Sequence, residues 1–185
     1  MGSSRLFLAI PLKEEATTDI KEFIDSNKGI TNIRWTKTEN LHLTGYFLGN
    51  VDDGLIDEID DQLLKVASIT KEFDLQFQKF MVIPKPQYPK MIWARFRDSE
   101  SYVQLSNNIQ KYVSEIVELK EQVRKPVPHI TIGRFKKNTR YNFTSFKNEN
   151  NLADMHVDQM ELWESKLHSE GPIYSSLKKY KLDAV

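Results

Sequence analysis

The sequence predicts an α+β fold, largely antiparallel, in two similar lobes that face each other. Three observations carry this. Segments with strand and helix patterning alternate, yet several strand segments adjoin with no helix between them. One apolar-flanked pattern, Leu41-His42-Leu43-Thr44, recurs as Val127-Pro128-His129-Ile130-Thr131-Ile132, with the second histidine 87 residues after the first. The length of 185 residues suits one domain, or two small lobes sharing a core.

Gly2-Ser3-Ser4 reads as an irregular leader. Arg5 to Leu12 (RLFLAIPL) is apolar and bounded by Pro11, a buried strand. Glu14 to Asn27 carries Ala16, Ile20, Phe23 and Ile24 at helical spacing, with Gly29 as a stop. Ile33 to Gly49 is rich in strand, with a turn at Thr38-Glu39-Asn40. Asp52 or Asp53 caps a helix with Leu55, Ile56, Ile59, Leu63, Val66 and Ala67 on one face. The acids of its first turns suit the helix dipole. Phe73 to Gln78 alternates strictly, a half-exposed strand. Pro84, Pro86 and Pro89 predict a loop before the strand Lys90 to Arg97. Asp98 or Ser99 opens a helix striped by Tyr102, Leu105, Ile109, Tyr112, Val113, Ile116 and Val117. The His129 strand follows a polar connection. Thr139 to Leu152 reads as a surface excursion, Met155 to Leu167 as one strand, Gly171-Pro172 as a turn, and Tyr174 to Leu182 as a last amphipathic strand.

A hydrophobic fraction of 39% is ordinary for a soluble globular chain. No run approaches a membrane span, and no secretory leader pattern is present, so a cytoplasmic protein is expected. With no cysteine, disulfides, thiolate metal sites and a cysteine nucleophile are excluded. The formal net charge of zero argues against a general DNA-coating protein. Charge is nevertheless segregated. Gln122 to Lys147 holds seven basic residues and no acid, and Lys79 to Arg97 holds five and no acid. Asp52, Asp53, Asp57, Glu58, Asp60 and Asp61 crowd one stretch. Either a local anion-binding face or ordinary solvated charge accounts for this.

On a strand, His42 and Thr44 share a face, as do His129 and Thr131. Two imidazoles, each with a hydroxyl one step along the same face, suit phosphate chemistry. One can take a proton, the other can give one, and the threonines can hold non-bridging oxygens. No His/Asp/Glu cluster has metal-ligand spacing, and there is no Gly-rich phosphate loop, so no cofactor is expected.

These motifs carry a resemblance to a known family. The segments are RLFLAIPL, LHLTGYFLGN at 41–50, KMIWARF at 90–96, PHITIGR at 128–134 and LWESKLHSEGPIYSSLKKYKL at 162–182. Together they resemble the LigT-like RNA 2′,3′-cyclic phosphodiesterases of the two-histidine phosphoesterase superfamily. The resemblance implies a single bilobal domain over 1–185, with outer helices and a central cleft. The His42 strand then lies in one lobe and the His129 strand in the other. It also implies metal-independent hydrolysis of a 2′,3′-cyclic phosphate, at an RNA or nucleotide end, to a 2′-phosphate. His42 serves as acid and His129 as base, while Thr44 and Thr131 bind phosphate.

Arg134 lies five positions after His129, like the family's phosphate-site arginine. Strict alternation puts it on the wrong face, unless a bulge at Gly133 resets the parity. Phe47, at the same offset after His42, either stacks on a base or joins the core. His156 and His168 read as lone surface or packing residues, and Trp35, Trp93 and Trp163 as core. Expected partners are RNA termini or cyclic nucleotides, with no membrane and no obligate protein partner. The alternatives are a 2′,5′-oligonucleotide phosphodiesterase or ligase, and a non-catalytic nucleotide or RNA-end binding module on the same fold.

Overall fold

The computed structural model describes residues 2–119, 124–136, 146–147, 152–169 and 171–184. Most of the excursion read between Thr139 and Leu152 lies outside the described residues, as do Lys137 and Arg140 of the basic span. The elements in order are β1 (Ser3–Pro11), α1 (Glu14–Asn27), β2 (Ile33–Trp35), β3 (His42–Asp52), α2 (Ile56–Ser68), β4 (Phe73–Leu75), β5 (Phe77–Lys85), β6 (Tyr88–Phe96), α3 (Glu100–Val113), β7 (His129–Phe135), β8 (Met155–Val157), β9 (Gln159–His168) and β10 (Gly171–Lys181). The α+β expectation holds: every strand pairing between these elements is antiparallel.

The main sheet runs β10-β9-β1-β3-β7-β6-β5, with β2 also on β7. β3 and β7 touch through one pair, Leu43 and Ile130. The sheet therefore has two halves, and each histidine strand is the innermost strand of its half. Two of the helices, α1 and α3, cross between halves. α1 follows β1, yet its Phe23 stacks on Phe80 of β5, ring centroids 3.7 Å apart. α3 follows β6, yet Tyr102 donates to the Thr44 carbonyl of β3 at 2.7 Å and Ser106 to that of Gly45 at 3.0 Å. A Cβ at Gly45 would sit 3.5 Å from Ile109, so α3 packs against the β3 backbone there. The buried stripe of α3, Tyr102, Leu105, Ile109 and Val113, follows helical spacing. One apolar cluster runs through both halves, and each fully buried aliphatic in it contributes about 1.5–3 kcal/mol.

Several expectations need correction. Ser3 and Ser4 belong to β1, where Ser4 Oγ donates to Glu164 at 2.9 Å. Asp52 caps a 3-10 turn, accepting from Gly54 N, and the α-helix proper starts at Ile56. The prolines make no long loop. β5 and β6 form a hairpin in which Pro84 pairs with Pro89, turning at Pro86 and Gln87. β7 reaches only Met91 to Arg95 of β6, so the tip outruns its neighbour and a missing N–H there breaks no inner ladder. The strand at Phe73 divides after Leu75, where pairing passes from β8 to β6, and the strand at Met155 divides at Asp158 for the matching reason. Gly171 and Pro172 already lie in β10.

Candidate active site

β3 and β7 carry the same burial run from their histidines onward. It reads half-exposed His, buried aliphatic, half-exposed Thr, two buried residues, an exposed side chain, then a buried one. The two consecutive buried residues mark a bulge. On β3, Thr44 pairs with Ala9 and Tyr46 with Leu8, leaving Gly45 over. On β7, Thr131 pairs with Trp93 and Gly133 with Ile92, leaving Ile132 over. The extra residue flips the alternation, so Phe47 and Arg134 return to the histidine face. Gly133 also lets β2 approach: a Cβ there would fall 3.0 Å from Ile33 and 3.1 Å from the Trp35 ring.

The antiparallel register around Leu43 and Ile130 sets His42 beside Thr131 and His129 beside Thr44. On a regular ladder, diagonal neighbours such as the two histidines stand about 7–8 Å apart. All four side chains line one cleft of about 1200 Å³, together with Phe47 and Arg134.

Each imidazole is anchored alike. His42 Nδ1 lies 2.8 Å from the carbonyl of Asn40, and His129 Nδ1 lies 2.8 Å from that of Val127, in both cases two residues back. A carbonyl only accepts, so each Nδ1 carries a hydrogen and Nε2 is the titrating atom. His42 Nε2 is 3.1 Å from Thr44 Oγ1. Burial is the main cause of a lowered pKa in both rings, drawing His42 down to about 4. The backbone bonds act in the opposite sense, and the nearby Arg134 adds to the lowering in both.

The walls differ. His42 sits among Phe7, Trp163 and Tyr174, at ring-centroid distances of 5.1, 5.3 and 5.3 Å. Phe47 is 63% exposed and 5.9 Å from Phe7, which decides against a core role. Trp93 is no core residue either: it lines the cleft and stacks on His129 at 3.7 Å. Trp35 borders the cleft while packing on the core. Only Trp163 is fully inside, its indole N–H held by Glu161 at 2.7 Å.

Arg134 is joined by Arg34, its cross-strand partner on β2, and both line the cleft. Like charges set opposite each other destabilise a sheet, so this pair is suited to an anion between or above them. Arg5 and Lys37 add charge on the same cleft. Sequence reasoning missed Arg34, Asn40, Phe7 and Tyr174; of these, Phe7 and Tyr174 lie in segments that carried the resemblance, RLFLAIPL and LWESKLHSEGPIYSSLKKYKL. His156 is not lone: it bonds Asp74 at 2.7 Å and Glu72 at 3.2 Å, and these carboxylates raise its pKa. His168 lines the cleft rim. Among the described residues, no group of three or more His, Asp or Glu could hold a metal ion, and no helix is long and apolar enough to cross a membrane.

The sequence model of the 2′-5′ RNA ligase superfamily matches residues 14–168. The chain belongs to the 2′-5′ RNA ligase superfamily. The chain is 29% identical to an RNA 2′,3′-cyclic phosphodiesterase of Methanocaldococcus jannaschii, over 95% of this chain and 99% of that protein. It is also 29% identical to one of Thermotoga maritima, over 94% and 92%. Among solved structures, TT0787 of Thermus thermophilus superposes with a TM-score of 0.83 at 21% identity, covering 96% of this chain and 97% of that one. E. coli LigT in its apo form superposes at 0.78 with 20% identity, covering 98% and 99%.

Proposed function

We propose that this chain is a single bilobal domain, one lobe carrying His42 and the other His129, that hydrolyses 2′,3′-cyclic phosphates at RNA or nucleotide ends. The observation that carries the reading is the pair of imidazoles, each anchored at Nδ1 and each lining the same cleft beside a threonine. Water attacks phosphorus on the side opposite the 3′-oxygen. Nε2 of one histidine takes the water proton. Nε2–H of the other gives a proton to the departing 3′-oxygen, leaving a 2′-phosphate and a 3′-hydroxyl. We assign His42 as the acid and His129 as the base. Thr44, Thr131 and Arg134 hold the equatorial oxygens as charge builds. The exposed Phe47 ring offers a stacking face to the base. Both proton transfers fall to imidazole, so the reaction needs no metal. E. coli LigT, which shares the fold, has been solved with 3′-AMP, consistent with a nucleotide-sized occupant here. A cytoplasmic location belongs to the same reading.

The superfamily's description favours one second reading. With a 5′-hydroxyl in place of water, the same groups would make or break a 2′,5′ linkage.

Incubation with 2′,3′-cyclic AMP and with cyclic-phosphate-ended RNA, in EDTA, should give 2′-phosphate products. His42→Ala and His129→Ala should each lose about 10²–10⁴-fold, and the double variant little more, since the pair acts as a unit. Folded single variants with near-full activity would end the two-histidine mechanism, and a parent protein that hydrolyses neither substrate would leave only a binding module. Activity abolished by chelation and restored by Mg²⁺ would end the two-histidine mechanism.

A further inference from the structure

We propose that Trp93 is a positioning residue for His129, its indole face fixing the ring plane and favouring the imidazolium that forms when this histidine takes a proton. The proposal rests on the acid–base reading above and deepens it. The rings are stacked, with centroids 3.7 Å apart and planes 23° apart. The cause is register: β6 sets Trp93 opposite Thr131 and Arg95 opposite His129, so the indole reaches diagonally across the ladder to the imidazole. An indole presents the most negative ring face among the side chains, and a cation against it is stabilised.

The surroundings make this matter. Among the described residues, the charged groups acting on His129 are cationic: Arg95 from β6, Arg134 from its own strand, and His42 across the seam when protonated. The carboxylate of Asp98 is engaged by Arg95 at 2.9 Å, and Glu118 lines the cleft. Burial and the two arginines disfavour the imidazolium. The Val127 carbonyl opposes them at Nδ1, and the indole face opposes them from β6. An interaction stronger with the imidazolium than with neutral imidazole grows as the proton transfers, and so acts on the chemical step rather than on binding.

Two further observations point the same way. Trp93 Nε1 is buried with no hydrogen-bond partner among the described residues. An unpaired buried donor costs stability, so the indole N–H is a cost to folding at this position. The other half has no stacked ring: the aromatics around His42 meet it tilted or edge-to-face at 5.1–5.3 Å. At the matching register positions of β1, Ala9 faces Thr44 and Pro11 faces His42.

The test compares Trp93→Leu and Trp93→Phe with the parent. The His129 ring is titrated by NMR in the free protein, and kcat and KM are measured with 2′,3′-cyclic AMP. In Trp93→Leu the His129 pKa should fall by about one unit. Its kcat should fall about tenfold, with KM within about twofold. Trp93→Phe should be intermediate in both, and its titration decides the matter if the leucine variant does not fold. A His129 titration unmoved in a folded variant, or a loss carried by KM, overturns the proposal. A parent protein that hydrolyses nothing overturns the functional reading instead and leaves the titration to judge the stack.

Discussion

Raising the pH through neutrality probes both imidazoles at once. On the proposed mechanism, one of the two must carry the proton that reaches the 3′-oxygen. In the free protein burial draws His42 from 6.5 down to about 4 and lowers His129 as well. A group titrating near 4 is protonated in roughly one molecule per thousand at pH 7. Above pH 6.5 the pair is therefore past both of its transitions, whichever ring is the donor, and each further unit removes tenfold of the competent form. Because kcat/KM reports the ionisations of the free enzyme, log(kcat/KM) should fall with a slope of about −1. Between pH 7 and 8 that is a loss of about tenfold. On the proposed reading a bound phosphodiester anion lies against both rings and should raise them by about 1–3 units. The alkaline limb of kcat should thus lie well to the right of the limb of kcat/KM.

The assay is initial-rate hydrolysis of 2′,3′-cyclic AMP from pH 5 to 8.5 at constant ionic strength, with 2′-AMP separated and counted. A kcat/KM that is flat or rising between pH 6.5 and 8 would refute the assignment of acid catalysis to a buried imidazole. Coincident limbs for kcat and kcat/KM would refute the claim that the substrate's charge sets the proton in place.

The same shift predicts an acid lability. Folded His42 takes its proton only near pH 4 while the unfolded chain takes it near 6.5, so between these values the unfolded state holds more protons and stability falls as pH falls. The gap is worth about 3 kcal/mol in full; His42→Asn should be missing this component when urea midpoints at pH 7 and pH 4.5 are compared, and an identical pH dependence in the two proteins would refute it. Arg134→Gln should raise KM about tenfold or more through loss of a charged phosphate contact. It should also move the kcat/KM limb to higher pH, because the guanidinium lowers both histidines. Its thermal midpoint should hold or rise, since Arg34 loses an opposing charge; an unmoved KM and limb would take Arg134 out of the site.

What was legible in the sequence was periodic; what was not depended on partners. The helix at Glu14–Asn27 stood out because Ala16, Ile20, Phe23 and Ile24 recur at helical spacing, and all four are buried. A bulge just before Arg134 could be inferred because Arg134 otherwise faced the wrong way, although the residue left over is Ile132 and not Gly133. The division of the Phe73 strand could not, since Phe73, Asp74 and Leu75 keep alternating buried and exposed right up to the switch of partner. Period reports faces, not neighbours. Arg34 was invisible for the same reason: nothing local to Ile33–Trp35 says that β7 lies alongside. Trp93 was misread because an aromatic on an alternating strand looks the same whether the facing layer is core or cleft.

That blindness to neighbours hides where the two halves diverge. Their innermost strands agree in bulge, burial run and histidine anchor. They differ at equivalent positions around that frame: Ala9 against Trp93, Pro11 against Arg95, Phe47 against Arg134. On the proposed reading the difference is what the reaction requires. The two imidazoles can be presented alike, because each handles one proton at one Nε2. The flanks cannot be alike, because a nucleoside meets the phosphate on one side and water meets it on the other. An exposed phenyl ring on the His42 strand and a guanidinium on the His129 strand are the residues that would break a two-fold cradle in that sense. The indole behind His129 adds to the asymmetry by making the two histidines unequal in their hold on a proton.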